Sequence, residues 1–289
     1  MAACTGGAYD PSGADGAAAG VGAPRVSGVL FVEQVQGAGA AAQAGARFLR
    51  VVGVDAEAVS ELVGAPAWPL PRVPAPGAPT GHGVCVERRG LVREGHGAET
   101  APEVRLLDVG PIDVTAGDAA LRLTPRRFPD LWNVVSGVLY GVDSALPTGV
   151  WRFSGAGDTA VGVGPFDVSM ALPEALEGVS LDDQAVGAEP NESLTLSRRG
   201  AMTVRWQRPS RPEEGDVVTV VFAGAGELRC SVRDEGVLEV DPASADRARE
   251  LLREGGAVSV HRLRARAFSA AGLDAGALVF DLSVRARAR

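Results

Sequence analysis

The chain has 289 residues, 46% of them hydrophobic, enough to bury real cores in two modest domains. A net charge of −8 argues against a nucleic-acid partner, whose phosphates would repel it. Every one of the 28 basic residues is Arg, which reads, with the abundant Ala and Gly, as a coding bias rather than the demand of any site.

Cys4 follows Met1, Ala2 and Ala3 and precedes a Gly/Ala/Asp/Ser stretch that cannot bury a core, so residues 1–24 read as a flexible tether. Ala-Ala-Cys before such a tether resembles the cleavage region of a bacterial lipoprotein. Cys4 is therefore the expected lipid attachment point, and any membrane contact is expected only through that anchor. No charged n-region or apolar h-region precedes it.

Residues 25–173 read as an N-terminal β domain. Val26–Glu33 and Arg47–Val54 are expected strands around an Ala/Gly-rich loop. A Pro-rich loop follows at 64–80, with six prolines between Pro66 and Pro79. Short strands are then expected near Gly83–Glu87, Val104–Asp108, Ile112–Thr115, Ala119–Leu123, Asn133–Tyr140, Val150–Phe153, Thr159–Val163 and Phe166–Met170, with Gly-rich turns between them. The polar, acidic stretch 174–191 reads as a linker.

Residues 192–289 alternate apolar and polar side chains with a period of two, as in Met202–Gln207 and Glu227–Arg233. That period marks strands with one face in a core and one in water. About seven such strands suit an immunoglobulin-like sandwich. One helix is expected over Ser244–Arg253, with Ser244 as N-cap and Gly255-Gly256 as the stop. Val260 and Leu263 are three apart, which suggests a bulge at His261-Arg262. The fold class is therefore all-β, two antiparallel β-sandwich domains, the C-terminal one immunoglobulin-like with one short helix. The inward-facing set is purely apolar, so no reactive group is expected to be organised within it.

Several stretches resemble uncharacterised secreted or lipid-anchored β-sandwich proteins of myxobacterial type. They are Asp108–Thr115 (DVGPIDVT), Trp151–Asp158 (WRFSGAGD), Val163–Phe166, Leu194–Ser197 with Val204–Trp206, and Cys230 with Asp234–Gly236 and Asp241-Pro242. The resemblance implies export and a β architecture over residues 25–289. It carries no catalytic residues.

His82, Cys85 and His96 are the nearest approach to a metal site, but their spacing fits no common zinc motif, so no metal and no cofactor are expected. Cys85 and Cys230 are an even pair that a disulfide can join outside the cytoplasm, although the inward register of Cys230 favours two separate buried thiols. No Gly-x-Ser-x-Gly turn or phosphate-binding loop occurs. The acids Asp143, Asp158, Asp167 and Asp182-Asp183 read as solvated loop charge. These readings favour a non-enzymatic cell-envelope or surface protein with a structural or adhesive role, partnered by an envelope or surface component. The alternative is a module binding a glycan or envelope ligand through exposed Trp68, Trp132, Tyr140 and Trp151. A hydrolase comes third, since it needs a place where an imidazole or two carboxylates converge.

Overall fold

The computed structural model describes residues 24–37, 42–52, 71, 73, 79–88, 103–129, 135–144, 148–187, 193–197, 199–213 and 215–288. Over these the chain is mostly β, in several antiparallel sheets, with one short helix. The strands in chain order are β1 (Arg25–Val35), β2 (Ala42–Val52), β3 (Val84–Arg88), β4 (Glu103–Leu106), β5 (Ile112–Ala116), β6 (Ala119–Leu123) and β7 (Pro125–Arg127). Then follow β8 (Val135–Ser144), β9 (Val150–Gly155), β10 (Phe166–Ala171), β11 (Ser180–Leu181), β12 (Gln184–Ala185), β13 (Ser193–Leu194) and β14 (Met202–Arg205). The last are β15 (Val217–Ala223), β16 (Glu227–Arg233), β17 (Val237–Val240), the helix α1 (Pro242–Leu251), β18 (Gly256–Ala267) and β19 (Ala275–Ala288).

Eleven of the described strands form one large sheet in the order β3-β16-β15-β18-β19-β1-β2-β4-β8-β7, with β13 added beside β19. Two four-stranded sheets, β10-β9-β5-β6 and β12-β11-β14-β17, accompany it. Pairing is mostly antiparallel, but β1 and β13 lie parallel to β19, and β4 lies parallel to β8. Because β1 joins β19 directly, the large sheet runs without a break from residues of the first expected domain into the second.

Even-numbered residues of β19 all face one side of the sheet, as the period of two requires. Leu278 and Phe280 meet Trp151, Phe153 and Val114 of the first small sheet, while Val284, Ala286 and Ala288 meet Val204, Leu238 and α1. Both small sheets therefore pack on the same face, side by side along β19. On the opposite face Val29, Phe31, Ala277 and Val279 form a separate buried cluster. Burial on both faces explains the near-continuous apolar runs of β1 and β19.

Several local expectations change. β2 begins at Ala42, inside the stretch read as loop, because its small residues allow close packing: a Cβ on Gly45 would lie 2.4 Å from the Phe31 ring. Residues 159–163 form a turn closed by the Asp158–Val163 bridge, not a strand. In the stretch read as linker, Leu176, Val179, Leu181 and Val186 enter the core, and β11 and β12 form a hairpin. Its two-residue turn is Asp182-Asp183, both at positive φ, as a type I′ turn demands. The helix starts earlier than expected. Asp241, not Ser244, caps it by accepting from the Ala243 and Ser244 N–H groups, and Pro242 takes the first-turn position where no N–H is needed.

No bulge occurs at His261-Arg262, since the β18 register with β15 and β19 is continuous. Arg262 instead points into the core at 1% exposure. Its Nε donates to Asp234, Nη1 to the carbonyls of Glu174 and Ala175, and Nη2 to Gln207 O and Asp234. Arg264, two residues on, grips Asp216 through Nε and Nη2 and reaches Ala171 O, and Arg266 donates to Ser169 O. The expectation of a purely apolar interior is thus overturned: two ion pairs, Arg262–Asp234 and Arg264–Asp216, lie buried on that face of β18.

Candidate functional site

The four aromatics expected to bind a ligand do not build one surface. Trp68 and Trp132 lie outside the described residues. Tyr140 is fully buried; its hydroxyl donates to Asp108 Oδ1 at 2.8 Å and accepts from Val109 N. Burial, then the Asp108 bond, pushes that phenol well above its ordinary range. Trp151 is also fully buried, edge-on to Phe280 and stacked with Phe153. Neither ring can stack on a sugar, because each already fills the core under the first small sheet.

The weak metal candidates separate as well. Cys85 is bonded to Cys230, its register partner across β3 and β16, so its sulfur has no thiolate to offer a metal. The two thiols favoured by the inward register of Cys230 are one disulfide, because opposed positions on adjacent antiparallel strands bring their Cβ atoms together. His82 is exposed on the turn before β3, and its N–H donates to Pro79 O. His96 and Cys4 lie outside the described residues. Among the described residues no cluster of His, Cys, Asp and Glu could hold a metal ion, and no helix is long and apolar enough to cross a membrane. The acids read as loop charge make local bonds: Asp167 pairs with Arg152, Asp158 takes the Ala160 N–H, and Asp182 bonds Ser197 and the Thr203 N–H.

The reactive groups that do converge lie on the face of the large sheet opposite the small sheets. Odd-numbered residues of β18 and β19 point there. His261 Nδ1 lies 2.9 and 3.1 Å from the two oxygens of Asp281, and His261 Nε2 lies 2.8 Å from Ser259 Oγ. A carboxylate only accepts, so it holds the proton of His261 on Nδ1 and leaves Nε2 free to accept from the Ser259 hydroxyl. Asp281 keeps 11% of its side chain exposed, while His261 keeps 24%, so the acid is sheltered and the base can be reached.

The array sits in a wider polar stripe. Thr219, opposite His261 on β15, bonds Ser231 on β16 at 2.9 Å. Glu33 is the register partner of Asp281 across β1 and β19. Burial first, then the neighbouring Asp281, pushes the Glu33 carboxyl up to about 7 against the opposing pull of Arg47 and His261. Burial brings Arg47 down to about 10, which leaves it cationic at neutral pH; it bonds the carbonyls of Ala46 and Tyr140 and lies over the Phe31 ring.

Sequence reasoning placed none of Ser259, His261 and Asp281 in a site. The available signal was Ser-x-His, which in a strand puts both side chains on one face. Asp281 lies twenty residues away, and only the β18–β19 register brings it near. No family model, curated protein or solved structure matches this chain.

Proposed function

We propose that this chain is a disulfide-held β-protein of the cell envelope or surface, of the secreted or lipid-anchored kind it resembles, serving as a structural or adhesive scaffold. The Cys85–Cys230 disulfide carries this reading. Disulfides persist in oxidising compartments and are reduced in most cytoplasms. The bond fastens β3, the outermost strand at one end of the large sheet, where a tie resists peeling. The expected anchor at Cys4 suits the same location. The architecture is read as two sandwich units that share the large sheet, the second immunoglobulin-like; two separate cores, each roofed by its own four-stranded sheet, support that division. The glycan-binding alternative loses two of its four aromatics to the core.

The test is made on the native protein. Peptide mapping without reductant is expected to find Cys85 linked to Cys230, and surface biotinylation of intact source cells is expected to label the chain. Deleting the coding gene is expected to weaken envelope integrity or surface attachment. Reduced thiols on a chain recovered only from the cytosol would overturn the reading.

A further inference from the structure

We propose that the outer face of β18 and β19 is an acyl-transfer site in which Ser259 is the nucleophile, His261 its general base and Asp281 the positioning residue, acting on a carboxylic ester with a compact acyl group. The inference goes beyond the scaffold role and rests on separate atoms, so either can fail without the other.

The geometry has the parts such chemistry needs. Ser259 Oγ lies 2.8 Å from His261 Nε2, within proton-transfer reach, and Asp281 fixes the ring by its opposite nitrogen. Ser259 and His261 are partly exposed, whereas Asp281 is buried, the order of access a nucleophile, a base and its orienting acid require. The charge that develops on the carbonyl oxygen needs a donor. Ser259 sits mid-strand between β15 and β19, whose ladders occupy the backbone amides on both sides. The donor must therefore be a side chain. Arg285 is the register partner of Ser259, on the same face and exposed, about 5 Å away at Cβ by the ordinary spacing of opposed residues. Val221, the partner of Ser259 on β15, limits the room on the other side and selects a slim acyl group.

The step balances. His261 Nε2 takes the Ser259 proton as Oγ bonds the carbonyl carbon, and the carbonyl electron pair moves onto oxygen opposite Arg285. Collapse breaks the ester C–O bond, and the leaving alkoxide takes the proton from Nε2. Water then repeats the sequence on acyl-Ser259, releasing the acid and restoring the hydroxyl.

The test uses the purified full chain with its disulfide intact, a fluorophosphonate probe and p-nitrophenyl acetate. Mass mapping is expected to place the phosphonyl label on Ser259. Ser259→Ala is expected to lose the label and at least about 10²-fold in turnover, and His261→Gln a similar factor. Asp281→Asn is expected to lower kcat on the order of 10²- to 10⁴-fold with KM unchanged and to displace the acid limb of the pH–rate profile. Ser27→Ala, on the same face but beside Ala275 and six positions along the sheet from Asp281, keeps both label and rate. A wild-type chain that carries no label at Ser259 overturns the proposal whether or not any variant folds. So does a folded Ser259→Ala that turns over the ester at the wild-type rate.

Discussion

Arg262 shows how a charge survives in a dry interior: its guanidinium has five N–H groups, and five acceptors surround it. Removing one partner leaves a buried cation uncompensated, so Asp234→Ala is expected to cost about 3–5 kcal/mol in chemical denaturation. Replacing the pair together, Arg262→Met with Asp234→Leu, is expected to recover only part of that loss: the desolvation penalty goes with the charges, but the Trp206 indole N–H and the carbonyls of Glu174, Ala175 and Gln207 lose their partners. Glu33 presents the opposite balance. Its carboxyl titrates at about 7 in the fold against an ordinary 4.5, so the folded chain holds that proton more tightly than the unfolded one. The stabilisation is complete below pH 4.5 and is lost as pH rises through about 7, by up to roughly 3 kcal/mol. Glu33→Gln should flatten the pH dependence of the urea midpoint across that window and raise stability at pH 8; an unaltered slope would show that the carboxyl is not responsible. Neither residue was legible as special in the sequence. An Arg at an inward register looks like a pattern error until Asp234, 28 positions away, is known to lie beside it.

At the level of single elements, the disulfide closes a loop of 145 residues. Chain entropy sets a ceiling on the order of 5 kcal/mol for its contribution. Cys85→Ala with Cys230→Ala is therefore expected to lower the melting temperature and to speed hydrogen exchange first in Val84–Arg88, with β15 and β18 less affected. Equal loss of protection across the sheet would contradict a local clamp. The strands themselves were largely readable: Ala119–Leu123 and Val237–Val240 have the expected limits, because short half-buried strands write their period of two directly into the sequence. Misreadings arose where a different physical rule outweighed pattern. Small residues in β2 looked like loop but answer the Phe31 ring. The acids of residues 174–187 looked like a spacer, yet apolar residues between them reach the core. Asp241-Pro242 held the helix start more firmly than Ser244 did.

For the molecule as a whole, β19 is shared property, giving Leu278 and Phe280 to one core and Val284, Ala286 and Ala288 to the other. Two roofs on one strand should melt together. Phe153→Ala in the first core and Val204→Ala in the second are expected to shift a single calorimetric transition, with calorimetric and van't Hoff enthalpies equal. Two resolved transitions would mean that the cores uncouple. This sharing could not be read from alternation, which reports which side chains point inward but not which strands are neighbours; the parallel β1–β19 pair joins residues about 250 apart. The arginines of β18 have one more effect. β10 is an outer strand of its small sheet, and its Ser169 and Ala171 carbonyls accept from Arg266 and Arg264. Acceptors already occupied in this way offer no template to a second chain, so the seam between the sheets is also a guard against fibrous self-association.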